Sequence, residues 1–119
     1  STEMASWISK AMRLKIYKRD ELKCAYCGIQ CKVCDTRTCD DLSNACTLDH
    51  IISQKTIYAS ATDDKHANVM RRDPKNLVVV CMSCNSSKQD TELYTWCAQT
   101  SRNYAAIIAE IARRIAIAV

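Results

Sequence analysis

Residues 24–28 read Cys24-Ala25-Tyr26-Cys27-Gly28, and residues 81–85 read Cys81-Met82-Ser83-Cys84-Asn85. Two Cys-x-x-Cys pairs of matching form, far apart in the chain, suit one tetrahedral zinc held by two short knuckles. In such a knuckle the backbone N–H groups after the first cysteine point at its sulfur. The residue past the second cysteine favours a left-handed backbone, which glycine adopts freely and asparagine tolerates. Gly28 and Asn85 stand at those two positions. Four thiolates close the coordination sphere, so the site is expected to be structural. Metal binding would join the ends of the chain around the middle segment and supply folding energy.

The surrounding composition fits this reading. The chain has 119 residues, room for one domain, 1–119, and the nine cysteines are 24, 27, 31, 34, 39, 46, 81, 84 and 97. A secreted disulfide framework is the competing explanation. The odd count opposes it, and Ser1 to Lys10 lacks a basic start followed by an apolar run, so a reducing, cytoplasmic setting is expected. Cys31, Cys34, Cys39 and Cys46 are enough for a second zinc, while Cys97 is expected to be a buried thiol. Glycine and proline occur once each, where an average chain of this length carries about 8 and about 6. That excludes a turn-rich β-sandwich and a Gly- or Pro-rich disordered chain. It also excludes Rossmann and P-loop phosphate cradles, which need clustered glycines.

Net charge is +4, with +3 of it on residues 1–23. This favours a nucleic-acid partner, against the plainer reading of a solvated helix face. The most apolar stretch, Ala105 to Val119, is broken by Glu110, Arg113 and Arg114, so no membrane span is expected.

The periodicity predicts a basic N-terminal helix over 3–20, within 1–23, with Trp7, Ala11, Leu14 and Tyr17 on one face and Ser1 or Thr2 as its cap. Residues 24–97 form the expected core. Within it, 47–53 and Leu77 to Val80 read as short strands, 54–75 as a long loop with room for one helical turn, and 83–97 as a helix capped by Ser83 or Asn85. Residues 98–119 hold a C-terminal helix, 103–118, whose stripe of Ile107, Ile108, Ile111, Ala112 and Ile115 suits either core packing or a docking face for a homodimer or larger complex.

Between the knuckles lies Asp49-His50. Histidine is the side chain most easily used as a base near neutral pH. Adjacent residues on a flat strand point to opposite faces, so a joint role for these two requires a bend. By spacing alone, His50 reads equally as a lone buried histidine, and His66, the second histidine, as a surface residue.

The order of fragments is more specific than any one of them. A basic helix leads to Cys24-x-x-Cys27-Gly28, then to Leu48-Asp49-His50-Ile51-Ile52. Asn76-Leu77-Val78 follows, then Cys81-x-x-Cys84-Asn85 with Lys88 three residues on. This resembles the HNH endonuclease family, in its zinc-containing branch with asparagine at the third motif position. The likeness runs from about Leu14 to Lys88. It implies an α+β fold with a ββα-metal (His-Me finger) core, stabilised by the four-cysteine zinc site and flanked by N- and C-terminal helices. It also implies His50 as the general base, Asp49 and Asn85 as ligands of one catalytic divalent cation, and Asn76 as the brace of the loop bearing His50. Hard oxygen ligands of this kind suit magnesium or manganese. Lys88, Arg71, Arg72 and Lys75 are candidate contacts to duplex DNA, or ordinary surface charges. The family's loop after the Asp-His pair carries glycines, and Ser60 to Lys75 has none.

The resemblance thus implies a metal-dependent DNA endonuclease. The alternative is a non-catalytic zinc-bearing nucleic-acid-binding module, or an accessory subunit of a larger DNA-processing complex.

Overall fold

The computed structural model describes residues 7–34, 37 and 39–119. The expected start of the first helix at residues 3–6, and its expected caps Ser1 and Thr2, lie outside them.

Helix α1 spans Lys10–Arg19. Its start is set by Ser9, which has extended backbone and whose side-chain hydroxyl accepts the N–H of Met12 at 3.1 Å, satisfying one of the otherwise orphaned donors. Trp7 and Ile8 precede this cap and are buried. The expected continuous helix through 3–20 is therefore interrupted at Ser9. Its inner face is Ile16, Tyr17 and Arg19, whereas Leu14 is exposed. The helix stops where Glu21 and Leu22 take left-handed backbone, at φ 53 and 57, and turn the chain into the first knuckle.

The sheet has two antiparallel strands among the described residues. β1 is Cys46–His50 and β2 is Leu77–Cys81, with Cys46 opposite Cys81 and His50 opposite Leu77. Every residue of β2 is buried, as its unbroken Leu-Val-Val-Val run requires for a strand covered on both faces. Full burial of each such side chain contributes about 1.5–3 kcal/mol. α1 packs on β2 and joins it through Asp20. That carboxylate accepts the backbone N–H of Val79 at 2.7 Å and pairs with Arg19 at 2.7 Å and Arg114 at 3.3 Å, all fully or almost fully buried.

The stretch 54–75 is not a loop. It forms α2, Gln54–Ser60, and α3, Asp64–Arg72, followed by a 3-10 turn over Pro74–Asn76. Ser53 caps α2 and Asp63 caps α3, each side chain accepting a backbone N–H three residues on. The two helices bury one residue apiece, Ile57 and Ala67, so they lack the apolar stripe by which a helix is read from sequence.

The expected helix over 83–97 is two helices, α4 at Met82–Lys88 and α5 at Leu93–Gln99. Gln89, at φ 49, breaks them apart. The cap of α4 is neither Ser83 nor Asn85 but Cys81, whose sulfur accepts the N–H of Cys84 at 3.4 Å. Helix α6, Tyr104–Ile115, is capped by Asn103. Ile107 and Ile111 enter the core, and Ile108 and Ile115 pack at its edge. No helix among the described residues is long and apolar enough to cross a membrane.

Candidate metal centre and adjoining cleft

The sulfurs of Cys24, Cys27, Cys81 and Cys84 all lie within 4.8 Å of one another. Tetrahedral zinc with Zn–S bonds of about 2.3 Å holds its sulfurs about 3.8 Å apart, and Cys27 Sγ lies 3.8 Å from Cys81 Sγ. The donor set and its spacing therefore suit zinc. The backbone assists: the N–H groups of Tyr26 and Cys27 point at Cys24 Sγ at 3.4 and 3.5 Å. Hydrogen bonding from the Cys84 thiol, then from neighbouring backbone N–H groups, pushes Cys24 down to about 4 against the cost of its burial. Gly28 takes the left-handed backbone, at φ 78. Asn85 does not: it sits inside α4 with helical backbone, because the second knuckle runs directly into that helix.

The four remaining candidate ligands do not converge. Cys34 and Cys39 are joined as a disulfide with Cα atoms 5.8 Å apart, while Cys31 and Cys46 are free thiols. Cys31 hydrogen-bonds with Cys46 and lies near Cys24 and Cys81, and burial pushes it up to about 12. The backbone explains the separation. Cys46 opens β1, and its N–H reaches Lys32 O at 2.8 Å, which brings Cys46 beside Cys31, while Cys34 and Cys39 bond to each other. Cys97 is buried.

Next to the cysteine cluster is a cleft of about 120 Å³, lined by Trp7, Asp49, His50, Asn85, Lys88 and others. Asp49 and His50 both line it because they are the last residues of β1, where the chain bends at Ile51 and Ile52. Asp49 Oδ2 accepts the Tyr26 hydroxyl at 2.5 Å and lies 3.0 Å from Lys88 Nζ. Burial, then the charge of Asp49 and this hydrogen bond, push the Tyr26 phenol far above its ordinary value.

His50 Nε2 is 3.0 Å from the carbonyl oxygen of Arg71, and its ring centroid is 4.9 Å from that of Trp7. A carbonyl only accepts, so Nε2 carries the proton and the neutral ring keeps its lone pair on Nδ1. Burial holds the imidazole below its ordinary pKa, partly offset by the Arg71 carbonyl and the Asp49 charge. Asn76 accepts Ile52 N–H at 2.7 Å and donates to Ile52 O at 3.3 Å, and its own carbonyl takes Ile51 N–H at 2.9 Å. It thereby ties the bend after His50 to the start of β2.

Asn85 donates through Nδ2 to Thr47 Oγ1 at 2.9 Å, and Thr47 in turn donates to Val80 O at 2.8 Å. That chain of bonds fixes the amide and makes its oxygen the remaining acceptor. The Asp49 carboxylate and the Asn85 amide oxygen are hard oxygen donors of the kind a divalent ion takes, and the Lys88 ammonium already sits on that carboxylate.

The basic candidates separate. Lys88 is not a solvated lysine, being 2 % exposed and paired with Asp49. Arg71 is half-buried and committed: Nε donates to Gln54 at 3.1 Å, Nη1 to Asn68 at 3.1 Å, and the guanidinium lies 5.8 Å from the Trp7 ring and 5.9 Å from the Tyr58 ring. Arg72 and Lys75 are exposed, as is His66, whose Nδ1 accepts Thr62 N–H at 3.2 Å. Sequence reasoning missed Tyr26 and Thr47. Tyr26 had one signal, its place inside a knuckle. Comparison with family models, curated proteins and solved structures finds no match for this chain.

Proposed function

We propose that the chain is a metal-dependent DNA endonuclease of HNH type, hydrolysing phosphodiester bonds with His50 as general base. The observation that carries the reading is that Asp49, His50, Asn85 and Lys88, from opposite ends of the motif, line one cleft beside the four-cysteine cluster. Zinc in that cluster holds Cys81, the cap of α4, and so fixes the helix that carries Asn85.

Asp49 and Asn85 would hold magnesium or manganese, which would supply Lewis-acid stabilisation of the charge that develops on the phosphoryl oxygens and the leaving 3′ oxygen. His50 Nδ1 accepts the proton of the attacking water. The Arg71 carbonyl keeps Nε2–H in place and so selects the tautomer that can do this. Asn76 holds the bend that aims the imidazole. Arg72 and Lys75 contact backbone phosphates of the duplex.

The test is incubation of zinc-loaded protein with supercoiled plasmid, linear duplex and single-stranded DNA across divalent metals. Nicking or cutting that requires added magnesium or manganese is expected. Complete inertness with retained DNA binding would replace this reading with a non-catalytic zinc-bearing binding module.

A further inference from the structure

The structure already contains a cation at Asp49, and it is an amino acid. Lys88 Nζ lies 3.0 Å from Asp49 Oδ2, with the two side chains 2 % and 11 % exposed. A buried carboxylate without a charge partner is strongly unfavourable, and Lys88 provides that partner. Lys88 is also the last residue of α4, one turn from Asn85, and Gln89 at φ 49 ends the helix immediately after it. The cleft that holds Lys88 and Asp49 is about 120 Å³ and is also lined by Asp90, an exposed carboxylate two residues further on. That space corresponds to about four waters at about 30 Å³ of liquid volume each, room for an ion that has shed part of its hydration shell. Asp90 offers the ammonium a second carboxylate on the same cleft.

We propose that Lys88 is the resident counter-cation of Asp49, and that a divalent cation occupies this carboxylate only by displacing it. The proposal rests on the reading of Asp49 and Asn85 as cation ligands. A monovalent and a divalent cation repel when they share one carboxylate in a poorly solvated cleft. Lys88 therefore keeps the cleft neutralised without metal and weakens metal binding by competition. The ammonium released from Asp49 turns toward Asp90 and the mouth of the cleft, where it can meet a phosphate.

The test compares manganese affinity, by electron paramagnetic resonance, and thermal melting with and without manganese. The proteins are zinc-loaded full chains: wild type, Lys88→Met, Asp49→Asn and the double variant. A unit charge within 4–6 Å shifts a charge equilibrium by about 1–3 orders of magnitude, so Lys88→Met should bind manganese at least about tenfold more tightly than wild type. It should also melt lower without metal and recover more on adding it, because binding stabilises the folded state. The double variant, with neither charge, should melt higher than Lys88→Met without metal and show no manganese response. Equal or weaker manganese binding by Lys88→Met, with Asp49→Asn impaired, overturns the displacement and leaves the cation site standing. Equal binding by Asp49→Asn and wild type removes the cation site itself and the displacement with it. Should Lys88→Met fold only with manganese, the substitution of one cation for the other is seen directly. Failure to fold even with manganese counts against it.

Discussion

Tyr26, inside the first cysteine knuckle, donates a 2.5 Å hydrogen bond to Asp49 at the end of β1. The ring of Tyr26 also packs against Trp96, with centroids 5.2 Å apart. One side chain therefore connects the four-cysteine cluster, the core and the cleft carboxylate. Because the acceptor is a buried carboxylate, the bond is stronger than one between two neutral groups.

Tyr26→Phe keeps the ring and removes the donor. It should lower stability by about 1.5–3 kcal/mol, the usual worth of a hydrogen bond to a charged group, with zinc content unchanged. Denaturant unfolding monitored alongside metal analysis checks both. An unchanged midpoint would show that Asp49 does not depend on this hydroxyl.

Metal analysis of fully loaded protein should give one zinc per chain, since Cys34 and Cys39 are bonded to each other. Cys81→Ser removes one of the four clustered thiols and replaces the cap of α4 at once, and should leave the chain unfolded at ambient temperature, as chelation does for small structural zinc domains. Two zinc ions per chain would contradict the thiol arrangement.

The pH response follows from the direction of each shift. Burial lowers the His50 pKa in the folded chain below the ordinary 6.5. Its neutral form therefore stabilises the fold above 6.5, and that contribution declines as pH falls from 6.5 toward the folded value. DNA cleavage should lose rate over its acid limb below 6.5, in step with protonation of His50 followed by NMR. A limb centred above 6.5 would contradict the buried, neutral imidazole. At lower pH, Arg113 hydrogen bonding holds Glu110 at about 2, with Arg114 adding to it, so a second loss of stability falls between 4.5 and about 2. Glu110→Gln should remove that second loss.

Arg71 and the pair Arg72 and Lys75 should separate by phenotype. Arg71→Ala loses hydrogen bonds to Gln54 and Asn68 and contacts with two aromatic rings. It should destabilise the fold by about 1–2 kcal/mol. Arg72→Ala and Lys75→Ala should leave stability within about 0.5 kcal/mol, and each should reduce the salt dependence of DNA binding by roughly one unit of slope. Melting curves and binding titrations over a salt series distinguish the two classes.

The four clustered cysteines were more legible in the sequence than the helices around them. The spacing of the two Cys-x-x-Cys pairs was enough to join Cys24 and Cys27 to Cys81 and Cys84, because tetrahedral geometry leaves few other uses for four thiols. The Leu77 to Val80 run marked β2 because full burial demands continuous apolar residues. α2 and α3 were illegible because each buries a single residue and is held by the caps Ser53 and Asp63. The break at Gln89 was hidden because glycine, the usual sign of a positive φ, is absent there. The pairing of Lys88 with Asp49 depends on α4 folding back over β1, which spacing alone does not specify. The same holds for Cys31, drawn to Cys46 by backbone pairing and away from Cys34.

The most direct measurement is plasmid relaxation by zinc-loaded wild type and His50→Ala, matched for zinc content and melting temperature, with magnesium or manganese. The account predicts metal-dependent nicking by wild type and a loss of at least about a hundredfold in His50→Ala, the lower range for removal of a general base. Equal rates in the two proteins would contradict His50 as the base, and with it the endonuclease reading of the cleft.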